Sequence, residues 1–296
     1  MPLLFDLCSR GLVKEVRAVL ASGMDVNIEN GNSQTPLMAA AARNHVTTMK
    51  VLFEQPSIDL NRADKVGSTA LIHATHMGNL EAVKLLLEQP SLEVNLGDKT
   101  GHTALHHATL TGNIAAVKLI LADPRVDLNS KDLKSQMTPF ISAAGAAHLI
   151  DVFKLLLAEP SVDVSWTTLG PAGRDVTALH ATICNNNIEA LRLLLDDERV
   201  DVNCKDSYQR TPLIMAATSH SDIDIFKLLL AEEGVDVNWT ASYPEQGLAT
   251  ALTCSLRNAN VEAAKLLLDD PRVDVNWMNS WGMSGLHDVA WRWLRQ

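Results

Sequence analysis

Apolar positions in this chain come in short paired stripes at helical spacing. In the stretch "TALHHATLTGNIAAVKLILADPRVDLN", Leu105, Ala108 and Thr109 share one stripe. Gly112-Asn113 breaks it, and Ile114, Val117, Ile120 and Leu121 start another. Thr103 suits a helix N-cap, and in other copies proline fills the next position, where no N–H is needed. Pro124 follows the end of the second stripe, as proline commonly does after a helix. The pattern predicts two short amphipathic helices joined by a turn. Such a pair cannot bury its apolar faces alone and has to stack on copies of itself.

Those copies are present. The motif "T-[P/A]-L" and its variants begin at Thr35, Thr69, Thr103, Thr138, Thr177, Thr211, Thr250 and Ser284, at intervals of 34, 34, 35, 39, 34, 39 and 34. A second landmark, "D-V-N" and its variants, ends at Asn27, Asn61, Asn95, Asn129, Ser165, Asn203, Asn238 and Asn276. The two series interleave throughout. A period near 34 with fixed internal landmarks predicts a stacked-repeat solenoid, where the 296-residue length alone suggests about two globular domains.

The segments "TPLMAAAARNHV", "TALIHATHMGNLEAVKLLL", "TALHHATLTGN" and "TPLIMAAT", each followed by "VN", resemble the ankyrin repeat family. The resemblance runs from about Leu4 to Leu294. It implies an all-α repeat fold: helix-turn-helix units joined by β-hairpin loops, about eight repeats plus a terminal half repeat. On that reading residues 1–296 form one solenoid, with a cap over 1–27, tandem repeats over 28–276 and a partial or capping repeat over 277–296. Most copies depart from the family by ending the second helix in "EQPSLEVN"-like segments; only Gly23 and Gly234 fit the usual glycine. Extra residues are expected between the helices at 143–149 and 217–224. Trp291, Trp293 and Leu294 are expected either to fold over the open end or to lead into a longer chain.

Composition narrows the function classes. With 47% hydrophobic and 20% charged residues, disorder is not expected. A net charge of −10 argues against binding nucleic acid. No stretch has the length of a membrane helix, and no signal peptide is read at the N-terminus. Cys8, Cys184, Cys204 and Cys254 are widely spread and read as reduced thiols in a cytoplasmic or nuclear protein.

HExxH, GxSxG, P-loop and GxGxxG signatures are absent, so no enzyme and no cofactor are expected. His102, His106 and His107 cluster in sequence, but zinc needs three or four convergent ligands. They read as structural or surface histidines, with no metal site. Acidic residues recur where second helices end, among them Glu54, Glu88, Asp123, Asp197 and Asp270. Lys and Arg recur four to six residues earlier, so an interleaved solvated face explains them better than an acidic docking ridge.

Two loops are longer than the rest. From Asn238 to Thr250, and from Ser165 to Thr177, the span is twelve positions; from Asn95 to Thr103 it is eight. Both long loops place a tryptophan after the Asn-like position, Trp166 and Trp239, and Trp277 fills the same slot. Every Trp and both Tyr lie at or beyond residue 166. Residues 130–296 also carry 14 Lys/Arg against 22 Asp/Glu, and residues 1–129 carry 11 against 13. Aromatic and Arg side chains are enriched in binding hot spots. Trp166, Arg174, Tyr208, Arg210, Trp239, Tyr243 and Trp281 are therefore the expected partner contacts, for a protein or peptide with basic and apolar anchors.

The leading function is a non-enzymatic protein–protein interaction scaffold using hairpin fingers and inner helices, mainly in the C-terminal half. Its alternatives are a small-ligand-sensing module built on the Trp-rich finger bases, or the recognition domain of a larger complex. A monomer is favoured. The family resemblance further implies that Asn95, Asn203 and Asn238 match a pattern open to asparaginyl hydroxylation, against a structural role bonding across the turn.

Overall fold

The computed structural model describes residues 3–170, 174–218, 222–243, 247–279, 282–285 and 287, without the side chains at 169 and 174. The chain divides into two compact units: Met1–Ser142 with Ala158–Val162, and Ala143–Leu157 with Asp163–Gln296.

In the first unit the helices come in pairs: α1 (Leu3–Ser9) with α2 (Val13–Ala21), α3 (Pro36–Ala41) with α4 (Val46–Phe53), α5 (Ala70–His76) with α6 (Leu80–Leu87), and α7 (Ala104–Leu110) with α8 (Ile114–Leu121). First helices pack on first helices in the order α1, α3, α5, α7, and second helices in the order α2, α4, α6, α8. Ala40, Ala41, Ala74 and Ala108 are wholly buried along the first row, where a larger side chain would hold neighbours apart. Leu37, Met49, Leu52, Ile72, Leu86, Leu105 and Ile120 fill the core between the rows. α9 (Pro139–Ala144) follows.

In the second unit a 3-10 turn at Ala147–Leu149 precedes α10 (Ile150–Leu157), taking up one of the extra inter-helix residues. Then come α11 (Ala178–Cys184) with α12 (Ile188–Leu195), α13 (Pro212–Thr218) with α14 (Ile223–Ala231), and α15 (Ala251–Arg257) with α16 (Val261–Asp269). α11, α13 and α15 form one row; α10, α12, α14 and α16 form the other. Phe153 and Phe226 are buried within it.

The threonine of each landmark starts its helix as expected. Thr35, Thr69, Thr177 and Thr250 accept from the backbone N–H groups of Met38, Ile72, His180 and Thr253. Proline at 36 and 212 occupies the first helical position. Turns between paired helices adopt positive φ, at Gly78 and Gly112 but also at Asn44, Asn186 and Ala259.

The expectation of a hairpin at each junction needs refinement. Among the described residues, paired strands occur only in the two long fingers: β1 (Thr168–Gly170) with β2 (Arg174–Val176), and β3 (Ala241–Tyr243) with β4 (Gly247–Ala249), both antiparallel. The four extra positions supply this ladder. An ordinary finger is too short for it and closes on two backbone bonds, as from Asp64 N–H to Ser68 C=O and Gly67 N–H to Asp64 C=O, or from Asp98 N–H to His102 C=O and Gly101 N–H to Asp98 C=O.

Candidate recognition surface of the fingers

Asp64, Asp98, Asp132 and Asp206 each organise an ordinary finger through one carboxylate, and the amides of Asn30 and Asn279 hold that place in two others. Asp64 Oδ1 accepts from Val66 and Ser68 N–H at 2.9 and 3.0 Å, and its Oδ2 lies 2.9 Å from His73 Nε2 on α5. Asp98 repeats this: Oδ1 accepts from Thr100 and His102 N–H at 2.8 and 3.1 Å, and Oδ2 lies 3.1 Å from His107 Nε2 on α7. Burial opposes ionisation of both carboxyls, but the hydrogen bonds outweigh it and hold them below the ordinary value. Asp132 is held down in the same way, with Ser135, Lys134 and Met137 as donors. α5 and α7 are thereby tied to the fingers before them.

Neighbouring fingertips are joined by backbone. Lys65 N–H donates to Asn32 C=O at 3.0 Å, Lys99 N–H to Val66 C=O at 3.0 Å, and Leu133 N–H to Thr100 C=O at 2.8 Å. Glycine is required for this approach. Gly67 and Gly101 both sit at φ +86, and a Cβ there would lie 2.5 Å from Lys99 N and 2.7 Å from Leu133 N.

With the backbone so engaged, the tip side chains are left to solvent. Val66 is 62% exposed and Leu133 69%. Met77 and Leu110, just past the end of α5 and on the last turn of α7, are also exposed. Lys65, Lys99 and Lys134 stand exposed beside the apolar tips. Between the fingers at Lys99–His102 and Asp132–Ser135 lies a cleft of about 390 Å³. Only half of this surface was within reach of sequence reasoning. An aliphatic residue at the loop position just after an Asp-Lys or Lys-Asp pair was the available signal.

Four histidines gather beside the cleft. His102 lies with its ring centroid 5.3 Å from that of His106 and 5.9 Å from that of His107, and His76 lies 5.5 Å from His107. His106 is buried at both nitrogens: Nδ1 accepts from Thr103 N–H, and Nε2 lies 3.1 Å from Met137 C=O. Burial pushes its pKa down to about 4. His107 is also lowered, by burial first, with the Asp98 bond opposing. A ligand atom from each of Asp98, His102 and His107 lies within 4.8 Å of the other two. The histidines read from sequence as separate structural or surface groups thus include a convergent set, whose carboxylate the sequence reading missed. The spacing Asp-x3-His-x4-His was its signal.

In the second unit the expected contact residues are engaged with their own fold. Trp239 donates its indole N–H to Gln209 C=O at 2.7 Å, and Lys205 Nζ lies 3.4 Å from the centroid of its ring. The tryptophan braces two successive fingers. Arg210 pairs with buried Asp206 at 2.5 Å and lies 5.5 Å from the Tyr208 ring. Tyr243 does not stand at a solvent-directed tip. It turns back so that Cys254 Sγ–H donates to its hydroxyl at 3.5 Å, and burial pushes its phenol well up. Trp166, Tyr208 and Trp277 are half-buried. The Arg174 backbone lies in β2, while its side chain, Trp281, Trp291, Trp293 and Leu294 fall outside what is described.

Asn95, Asn203 and Asn238 reach with both ends of the side chain into the next repeat. Asn95 donates from Nδ2 to Arg125 C=O at 2.8 Å and accepts at Oδ1 from Asp127 N–H at 2.8 Å. Asn203 does the same with Gly234 and Asp236, and Asn238 with Arg272 and Asp274. Each staples its repeat to the next.

The recurrent acids at second-helix ends also have a structural task. Asp123, Asp197 and Asp270 each bind the arginine two residues on, at 2.6, 2.7 and 2.7 Å. Those arginines reach the preceding second helix: Arg125 Nη2 donates to Leu87 C=O, Arg199 to Leu157 C=O and Arg272 to Leu230 C=O. A cation thus satisfies the open carbonyls of a helix C-terminus, where the dipole favours it.

A profile of ankyrin repeats, in three copies, matches the chain over residues 4–98, 59–132, 90–168 and 140–241. These windows cover most of the chain, which belongs to the ankyrin repeat family. Repeats of this family are generally protein–protein interaction modules. A search of curated proteins returned no match. Among the described residues no helix is long and apolar enough to cross a membrane.

Proposed function

We propose that this protein is a non-enzymatic interaction scaffold that holds a protein or peptide partner across its fingertips and first helices. The observation that supports this most is the exposure, in the first unit, of Val66 and Leu133 at fingertips and of Met77 and Leu110 where first helices end. Val66 and Leu133 are the most exposed large apolar side chains among the described residues, and they stand beside the cleft and fingers of one unit, where apolar exposure favours a partner. Lys65, Lys99 and Lys134 flank them, so the partner carries apolar side chains set among carboxylates. The principal contact is thereby assigned to the first unit, away from the aromatic fingers that composition pointed to. Trp166, Tyr208, Arg210 and Trp239 form a second proposed contact region, on the ground that each keeps part of its surface exposed. There the net charge suits basic anchors.

Affinity capture from an extract, with wild type beside Val66→Asp/Leu133→Asp, tests the reading. A partner held by wild type and lost by the folded double variant supports it; a partner held equally by both moves recognition elsewhere. Hydroxylation of Asn95, Asn203 or Asn238 is also proposed. Both ends of each side chain are held by the next repeat, so the modification needs local opening. A peptide mass gain of one oxygen after co-expression with the hydroxylase supports it, and unmodified peptides count against it.

A further inference from the structure

We propose that Asp98, His102 and His107 form a binding site for a divalent transition metal, of the zinc class, that locks one finger to its helix. Their ligand atoms lie within 4.8 Å of one another, and Asp98 Oδ2 and His107 Nε2 are already 3.1 Å apart. Two ligands around one tetrahedral zinc, each about 2.0–2.2 Å from the ion, stand about 3.4 Å apart. The Asp–His pair is thus at metal-bridging separation, and His102 alone has to close in. Metal binding exchanges the Asp98–His107 hydrogen bond for two coordinate bonds, the His107 proton leaving to solvent or moving to the other ring nitrogen.

The surroundings fit a held ligand set. Asp98 offers Oδ2 because Oδ1 is fixed by the backbone N–H groups of Thr100 and His102. Such outer bonds orient a metal-ligating carboxylate. The Asp98 and His107 side chains are 12% and 17% exposed, shielded yet open to an ion. His102 bonds Thr100 Oγ1 at 3.1 Å through Nδ1, a contact that water can replace. His76, with its ring 5.5 Å from that of His107, stays outside the convergent set, which leaves the fourth position to water. His106 gives no ligand either, because Thr103 and Met137 occupy both of its nitrogens. Two imidazoles and a carboxylate, with no thiolate, are a donor set suited to zinc and to cobalt as its spectroscopic substitute.

The preceding repeat supplies an internal control. Asp64 and His73 form the same pair at the same separation of nine residues, but Ser68 stands where His102 would be. Among the described residues there are therefore two such Asp–His frames and one complete set.

The test is titration of the tag-free, metal-stripped full chain with Zn²⁺ by calorimetry and with Co²⁺ by visible absorption. Wild type is expected to bind one equivalent, with d–d bands of nitrogen-oxygen coordination. His102→Ala should weaken binding by about 100-fold or more, since loss of an outer-shell partner alone costs about 10–100-fold. His73→Ala should leave binding unchanged. Ser68→His should add a second equivalent, a gain that a folding defect cannot imitate. Absence of zinc binding in wild type, or binding that His102→Ala does not weaken, overturns the proposal. So does a Ser68→His chain that folds normally and still binds one equivalent.

Discussion

Asn95 Oδ1 accepts the backbone N–H of Asp127 at 2.8 Å, across 32 residues of sequence. The same bond recurs from Asn27 to Asp59, from Asn61 to Glu93, from Asn203 to Asp236 and from Asn238 to Asp274. With Nδ2 donating to the next repeat as well, one short side chain sets the register between neighbours. Asn95→Ala is expected to destabilise the protein by about 1 kcal/mol, because the freed backbone groups are near solvent and water recovers part of the loss. Asn95→Asp should cost a similar amount, its carboxylate facing Arg125 C=O in place of a donor. Chemical denaturation checks both; no change in either would remove the staple from the account.

Gly101 and Gly23 separate two reasons for a glycine. Both have φ near +87, at +86 and +87, but a Cβ at Gly23 meets nothing within 4 Å while one at Gly101 meets Leu133 N at 2.7 Å. Gly23→Ala is expected to lose about 1 kcal/mol from backbone conformation alone. Gly101→Ala should lose about 2–3 kcal/mol, because the fingers must also part. Equal losses in thermal melts would contradict the close finger approach.

Arg125 tests the capping of one repeat by the next. Its guanidinium is held by Asp123, which lifts the arginine and lowers the aspartate, and it donates to Leu87 and Gln89 C=O. With the side chain 35% exposed, solvent takes back part of the gain. Arg125→Ala is expected to cost about 1–2 kcal/mol. Lysine at 125 should recover less than half, since it cannot hold the carboxylate and the carbonyls with one planar fork. Urea midpoints of the two variants decide it.

The internal architecture was legible wherever the cause is local. Thr35 caps its helix through the backbone N–H of Met38, three residues on, and the fixed interval between Thr69 and Thr103 announces a stack whatever its partners. What sequence did not show are bonds between repeats, because their partners are fixed by stacking register. Arg125 reads as a helix-end charge until the carbonyl of Leu87 is brought beside it. Tyr243 reads as a partner contact until β3 and β4 pair and turn it onto Cys254. Asp98 looks like any loop carboxylate until α7 places His107 against it. In each case the missing quantity was a distance set by stacking, by a strand pairing or by the folding of a finger onto its helix, which hydrophobic period does not carry.

Acid should weaken the fold through two histidines. His106 and His180 are buried and lowered to about 4 by desolvation, against about 6.5 in the unfolded chain. Each is satisfied as the neutral tautomer, with Nε2 facing Met137 C=O or Arg210 C=O. Between pH 6.5 and 4 the unfolded chain binds more protons at these two groups, so their contribution to stability falls as pH drops through that window and levels off below it. Each residue contributes up to about 3 kcal/mol to the fall. His106→Gln and His180→Gln should each be less stable at pH 7.5 and show a shallower acid limb. Parallel limbs for wild type and variants would assign the acid loss to other groups.

The most direct test of recognition on the finger side is site-specific photo-crosslinking in an extract. A photoreactive residue at position 133 samples the exposed fingertip, and one at position 118 samples the exposed side of α8. The account predicts discrete crosslinked protein at position 133, suppressed by excess unlabelled chain, and only background at position 118. The reverse pattern, or equal background at both, would contradict it.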